Sequence, residues 1–513
     1  MAESRLKDYK NKGLDAEELR RRREEEGVQI RKSKRDDELS KRRNLGEVPD
    51  DAAPPDAESG EYTLEAMAKD VLSNDVARHR LGCRSIRSLL SKVVNPPVDD
   101  VIATGVIPRL VEFVHSHQDG LVQFEAAWAL TNVASGTSLQ TRVVVESGAV
   151  PVFIQTLQRD NDDVKEQAIW ALGNIAGDGA DCRDYILQAN FLPPLLEILG
   201  TSNNRLSMQK NAVWALSNLC RGKNPAPDFQ QLSACLPIVS KLLHHEDIDI
   251  LVDASWTLSF LSDGPNYKIQ AVIDQGVCRR LVELLLHEER RVVSPALRVI
   301  GNIATGDDVQ TQVVLNCSVL PSLLQLLSHP KSTIRKEACW TISNITAGNR
   351  AQIQAVIDAN VFPSILSNLE DGEFSVRKEA MWAVGNALMG GSSVQSRYLA
   401  SSGCVKPICE MLKVDDSKTI LVALEALEQL LKIGKEDAEA NDGVNPYSVM
   451  IEEASGLEKI EYLQSQENAE IYRLAFHLID AYFTDEDDAN EAAAAAGAGN
   501  QANEPPANQQ FNF

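Results

Sequence analysis

The 513-residue chain carries 51 Lys/Arg against 74 Asp/Glu, a net charge of −23, and only 5% aromatic residues. The charge is uneven: residues 1–46 hold 15 Lys/Arg and 11 Asp/Glu, net +4, which leaves 36 against 63 in the remainder. An acidic body of this kind repels the phosphates of nucleic acids and membranes and attracts cationic partners. No apolar run of about 18 residues exists to span a bilayer, so the sequence predicts a soluble intracellular protein without direct nucleic-acid or membrane binding.

The first predicted element is a basic arm. Residues 12–44, KGLDAEELRRRREEEGVQIRKSKRDDELSKRRN, combine helix formers and charge blocks with little apolar content and cannot build a core. The segment is expected to be disordered alone and helical on an acidic partner, to which Arg20, Arg21, Arg22, Arg23, Arg31, Lys32, Lys34 and Arg35 would supply ion pairs. A nucleic-acid-binding tail is disfavoured because Glu24–Glu26 and Asp36–Glu38 would face phosphates. The arm ends in Lys41, Arg42 and Arg43, and a linker rich in Pro, Asp and Ala follows to about residue 61.

A repeat follows. The six Trp lie at 128, 170, 214, 256, 340 and 382, at intervals of 42, 44, 42, 84 and 42. An independent series of turn-like segments, marked by Pro108, Pro151, Pro193, Pro237, Pro321, Pro363 and Pro407, shares the period, with Arg280 where Pro would fall in the fifth unit. A period near 42 with helical patterning and no alternating strand pattern predicts an all-α solenoid of about ten helical units between roughly residues 73 and 484. From about Asp416 the units lose Trp and become acidic, as a cap would. The expected organisation is an arm and linker (1–60), a repeat domain (61–484) and a disordered, acidic, low-complexity tail (485–513).

Within residues 162–176, DDVKEQAIWALGNIA, the residues Val164, Ala168, Leu172 and Ile175 form one apolar stripe, while Gln167, Trp170 and Asn174 cluster away from it. The Trp is therefore expected off the core, on a binding surface. Asn follows Trp by four residues in Trp128/Asn132, Trp170/Asn174, Trp214/Asn218, Trp340/Asn344 and Trp382/Asn386. The exceptions are Trp256 with Phe260, and Arg298 with Asn302 in the unit without Trp; they divide the ladder into three pairs and two. Asn amides can bond both the N–H and C=O of an extended peptide, and slots between indoles accept the stems and charges of Lys and Arg. Asp178, Glu125, Asp253, Glu337 and Glu379 are the candidate counter-charges.

No catalytic machinery is evident. The 9 Cys include no C-x-x-C pair and read as small core residues in a reducing compartment, and His244-His245 reads as an inter-helix turn rather than a metal site. No phosphate loop, metal spacing or nucleophile motif appears, so no cofactor and no enzymatic activity are expected.

The recurring W-A-L-x-N motif, the RRRREEEGVQIRKSKR arm and the KRRN cluster together resemble the importin-α family over essentially the whole chain. The resemblance implies a right-handed armadillo-repeat solenoid that serves as a nuclear import adaptor, shuttling between cytoplasm and nucleus, whose arm binds importin-β. It implies a major site for nuclear localisation signals built from Trp128, Asn132, Gln167, Trp170, Asn174, Trp214 and Asn218, with Gly136, Thr141 and Asp178 receiving a key lysine. The implied minor site comprises Asp253, Trp256, Arg298, Asn302, Thr311, Glu337, Trp340, Asn344, Glu379, Trp382 and Asn386. It further implies that Lys41, Arg42 and Arg43 occupy the groove until importin-β engages the arm, that an export receptor with Ran-GTP recycles the adaptor, and that nucleoporins are candidate partners. The competing reading, a scaffold of the catenin type, calls for a basic groove and sits poorly with the acidic body.

Overall fold

The computed structural model describes residues 41–45, 62–92, 94–201, 203–438 and 443–483. The importin-β contact residues expected in the arm, the linker to residue 61 and the tail beyond 483 lie outside the described residues. Among the described residues every regular element is a helix. Contacts divide the chain into a unit of residues 18–318 and one that contains residues 319–513.

The N-terminal unit opens with a helix pair, Leu64–Leu72 and Val76–Leu90. Three-helix groups follow, each ending in a longer third helix: Gly120–Ala134, Asp162–Gly177, Leu206–Cys220, Ile248–Leu261 and Arg290–Ala304. In the C-terminal unit the corresponding helices are Ser332–Thr346, Phe374–Gly390, Ser417–Ala438 and Ala469–Tyr482. The period read from Trp and Pro is thus the period of these groups, and helix Asp162–Gly177 coincides with the amphipathic segment expected there.

Local chemistry fixes each group. Pro108, Pro193, Pro237 and Pro363 sit in the first turn of second helices, where a missing N–H has no intrahelical partner to lose. The turn before the second helix needs a left-handed residue, supplied by Gly148 (φ 78°), Asn190 (φ 62°) and Asn360 (φ 53°). Reciprocal capping boxes, Thr137 with Gln140, Asp307 with Gln310, Asn349 with Gln352 and Ser392 with Gln395, start several first helices.

Third helices are enclosed on nearly every side. The stripe Val164, Ala168, Leu172 and Ile175 is buried as expected. The Trp residues lie off this stripe as expected but are more enclosed than a surface position implies: with residues 41–45 in place Trp170 is half-buried, and Trp128, Trp214, Trp256, Trp340 and Trp382 are buried. The reason is that successive third helices pack face to face through small residues. A Cβ on Gly173 would lie 2.6 Å from Cζ3 of Trp214, so one helix's glycine receives the next helix's indole. Seven of the nine free cysteines are buried, and Cys182 and Cys317 are half-buried. Among the described residues no helix is long and apolar enough to cross a membrane, and His244 and His245 fall between helices.

Candidate peptide-binding site

The site in the N-terminal unit is assembled by the third helices and is filled by residues 41–45 of the same chain. Asn174 Oδ1 accepts the Arg42 N–H at 2.7 Å, and Asn174 Nδ2 donates to the Arg42 carbonyl at 3.0 Å. Trp170 Nε1 donates to the same carbonyl at 2.6 Å. One repeat earlier the pattern recurs on Asn44: Asn132 Oδ1 accepts its N–H at 2.9 Å, while Asn132 Nδ2 and Trp128 Nε1 donate to its carbonyl at 3.2 and 3.1 Å.

Each Trp/Asn pair therefore clamps one backbone residue, and successive pairs clamp alternate residues. This matches the two-residue period of an extended strand, whose successive side chains point to opposite sides. Because Arg42 meets the later repeat and Asn44 the earlier, the segment runs antiparallel to the order of the repeats.

The amides are pre-oriented. Asn174 Nδ2 also donates to the Thr131 carbonyl at 3.2 Å, and Asn218 Nδ2 donates to the Gly173 carbonyl at 2.9 Å, each 43 to 45 residues back in the preceding third helix. Tying the NH2 to a neighbouring carbonyl leaves the amide oxygen aimed at the peptide N–H. The structural role of Asn and its peptide contact are thus two halves of one hydrogen-bonding device.

Side chains are read separately. The Lys41 ammonium has three donors, and all three are met: Gly136 O at 2.8 Å, Thr141 Oγ1 at 2.7 Å and Asp178 Oδ1 at 2.5 Å. Thr141 follows the Thr137/Gln140 capping box, which fixes its turn, and its hydroxyl also bonds Ala134 O at 3.0 Å. A Cβ on Gly136 would lie 2.0 Å from Gln140 Oε1, so a larger residue there would have to displace the Gln140 side chain from its capping box with Thr137. Asp178 caps helix Asp162–Gly177 and also accepts from Ser138 Oγ at 2.9 Å. This pocket suits a compact point charge better than the planar fork of Arg.

Arg42 lies over the Trp214 ring, 4.8 Å from its centroid, and its Nη2 is 3.3 Å from both Asp253 oxygens. Burial holds the Asp253 carboxyl up at about 6, with the Arg42 charge acting in the opposite direction. The sequence reading placed Asp253 and Trp256 in the second site; they are corrected to the first, because Asp253 faces Arg42 and Trp256 lines one pocket with Trp214, Asn218, Asp253 and Phe260. Phe260 stacks against Trp256 with centroids 6.1 Å apart. Asn44 Nδ2 donates to Gln167 Oε1 at 3.2 Å.

Glu125 is also corrected as a counter-charge for a bound peptide. Arg87 takes both its oxygens, at 2.7 and 3.3 Å, and lies over the Trp128 ring at 4.6 Å. Arg87 and Ser138 were missed from sequence. Arg87 lies 41 residues before Trp128, one short of the 42-residue period and so on a different helix face from the ladder position, which is why the register did not point to it. Ser138 carried no signal beyond its place beside the capping Thr137.

Of the second-site candidates, Arg298, Asn302 and Thr311 belong to the N-terminal unit; Asn302 Nδ2 donates to Ser259 O at 2.9 Å, and Thr311 Oγ1 to Ala304 O at 3.3 Å. The C-terminal unit holds Glu337, Trp340, Asn344, Glu379, Trp382 and Asn386 on two consecutive third helices. There Asn386 Nδ2 donates to Ser343 O at 2.8 Å, the same inter-repeat bond, and its buried Oδ1 has no hydrogen-bond partner among the described residues. No cluster of His, Cys, Asp and Glu suited to a metal occurs among the described residues.

Helical repeats whose third helices hold an extended basic segment between indoles and amides define an armadillo-type peptide-binding protein. The profile described as "Armadillo/beta-catenin-like repeat" matches six stretches between residues 95 and 389, and "Atypical Arm repeat" matches 445–496. The profile "Importin beta binding domain" matches residues 5–83. The chain is 54% identical to Importin subunit alpha-2 of Arabidopsis thaliana, across 98% of this chain and 96% of that protein. It is 50% identical to Importin subunit alpha-1a of Oryza sativa subsp. japonica, across 94% and 93%. Among solved structures, an engineered protein covers 82% of this chain with 99% of its own length, at TM-score 0.73 and 26% identity. The chain belongs to the importin-α family. It is a nuclear import adaptor, linked to importin-β, rather than a catenin-type scaffold.

Proposed function

We propose that the groove of the N-terminal unit binds the basic nuclear localisation signals of cargo proteins, and that residues 41–45 act as a built-in competitor. The observation that carries the reading is the complete coordination of the Lys41 ammonium by Gly136, Thr141 and Asp178. A cargo lysine would enter the same pocket, its neighbours clamped by Trp128/Asn132, Trp170/Asn174 and Trp214/Asn218. Engagement of the arm by importin-β, through Arg20, Arg21, Arg22, Arg23, Arg31, Lys32, Lys34 and Arg35, withdraws the competitor and so couples cargo loading to carrier binding.

The Trp340/Asn344 and Trp382/Asn386 pairs of the C-terminal unit, with Glu337 and Glu379, form the minor site for the second basic cluster of a bipartite signal. The Asn386 oxygen, buried and without a described partner, supports this as an acceptor for a peptide N–H. The adaptor shuttles between cytoplasm and nucleus, contacts nucleoporins in transit, and is recycled by an export receptor with Ran-GTP at its acidic C-terminal repeats. The chain performs no chemistry of its own.

Fluorescence titration of a monopartite basic peptide tests the first site. Asp178→Lys places a like charge beside the incoming ammonium, so binding should be lost; unchanged affinity would overturn the assignment. Glu379→Arg should weaken bipartite peptides more than monopartite ones, and equal effects on both would remove the second site.

A further inference from the structure

Two arginines of this chain stand in the same chemical relation to the ladder. Arg42, from the bound segment, lies over Trp214 and is paired with Asp253, the carboxylate three residues before Trp256. Arg87, from the first helix pair, lies over Trp128 and is paired with Glu125, the carboxylate three residues before Trp128. The first arginine belongs to the ligand. The second belongs to the wall.

Arg87 is fixed in place. It is buried, as is Glu125, and the pair is bidentate. One turn on, Ser91 Oγ accepts from Asn132 Nδ2 at 3.0 Å and donates to Arg87 O at 2.9 Å, so the same helix end also steadies the last amide clamp. Helix Val76–Leu90 approaches Trp128 from the repeat that precedes it, whereas the Asn44 side chain turns toward Gln167 in the repeat that follows. An extended peptide continuing past Asn44 would bring its next same-side residue, two positions on, to the indole face that Arg87 covers. In the chain's own sequence the residue two positions beyond Asn44 is Gly46.

We propose that Arg87 is a specificity-determining residue that ends the basic register of the groove. It occupies the terminal indole face as an intramolecular surrogate for a peptide cation, neutralises Glu125, and so excludes Lys or Arg two residues beyond the Trp128/Asn132 clamp. The proposal rests on the groove reading given above, with the pocket lysine numbered first and a neutral or small residue preferred sixth.

The test compares two peptides, KRRNLK and KRRNLA within otherwise identical flanks, titrated against the full chain by fluorescence anisotropy. Their affinity ratio cancels competition from residues 41–45. Wild type should bind the Lys-ended peptide no better than the Ala-ended one. Arg87→Gln keeps a hydrogen-bond donor toward Glu125 but frees its charge, and should raise the Lys/Ala ratio about fivefold, the size of a partly exposed ion pair with cation–π contact. Arg87→Lys should restore the wild-type ratio, which a merely structural role would not require. Should Arg87→Gln fail to fold, judged by its thermal melt, Glu125→Gln leaves Arg87 unneutralised and should push the ratio below wild type. An unchanged ratio in the folded variant overturns the proposal. Binding insensitive to Asp178→Lys would instead sink the groove reading, and this inference with it.

Discussion

At the scale of single residues, the amide of Asn174 carries the most. It makes two hydrogen bonds to Arg42 and one to Thr131 O, so it joins peptide recognition to the stacking of two repeats. Asn174→Ala should weaken a basic peptide at least about tenfold, from lost bonds worth roughly 1–3 kcal/mol. It should also lower the thermal midpoint, because Thr131 O loses its side-chain donor. A peptide titration that leaves affinity within twofold would contradict the clamp. Asp253 makes binding pH-dependent. Its buried carboxyl titrates at about 6, so lowering the pH through that value protonates it and removes the partner of Arg42. Affinity for a peptide with Arg at that position should fall about threefold between pH 7.5 and 5.5, and Asp253→Asn should flatten the profile.

Legibility at this scale followed periodicity. Trp128, Asn132, Trp170 and Asn174 were readable because two residue types recur at one spacing, and such repetition has no explanation in a single helix; Asp178 stood out only as a carboxylate near Trp170, its lysine pocket being implied by the resemblance. Glu125 and Asp253 share the same offset from Trp yet serve different partners, Arg87 and Arg42. Which cation reaches a carboxylate depends on the packing of a neighbouring repeat, and local spacing does not encode it. The burial of the indoles was missed for a related reason: a helical wheel sees one helix, whereas a third helix in a stack has neighbours on both sides.

At the scale of elements, the third helix works because its small residues admit the next helix's large ones. Gly173→Ala would drive a methyl group to 2.6 Å from Trp214 Cζ3 and 3.1 Å from Ala215 Cβ. Overpacking of this kind costs about 1–3 kcal/mol. It should displace the platform under Arg42, so a calorimetric melt and a titration with an Arg-bearing peptide should both report the change. A silent substitution would mean that the repeats slide freely past one another.

A second pH-sensitive element joins the first helix pair to His117, which ends helix Ile107–Ser116. His117 Nδ1 accepts the Asp119 N–H at 3.0 Å, which leaves Nε2–H to donate to His79 Nδ1 at 3.1 Å, and His79 Nε2–H donates to Ser73 O at 2.9 Å. Accepting at Nδ1, the His117 ring is neutral in this chain of bonds. Burial lowers the His117 value below that of a free imidazole, so its stabilisation is complete above about pH 6.5 and is lost as pH falls through the lower folded value. Hydrogen exchange should show residues 64–90 losing protection between pH 7 and 5, and His117→Gln should reduce that dependence. Protection independent of pH would rule His117 out as the titrating group.

At the scale of the molecule, an acidic body carries its own basic ligand. The repeat architecture and the family were legible because the period of about 42 persists through much of the chain and the arm has a distinctive composition. Tethering raises the effective concentration of residues 41–45 to the order of millimolar, enough to oppose weak cargo and yield to strong cargo. The residues that hold the Lys41 ammonium, Gly136, Thr141 and Asp178, are supplied by helix ends and caps rather than by the ladder.

The central claim is that these basic residues compete with cargo for one pocket. Its most direct test is a titration of a basic signal peptide against the full chain and against the triple variant Lys41→Ala/Arg42→Ala/Arg43→Ala, without importin-β. The variant should bind the peptide at least about tenfold more tightly, as expected when a tethered competitor is removed. Equal affinities would contradict the account.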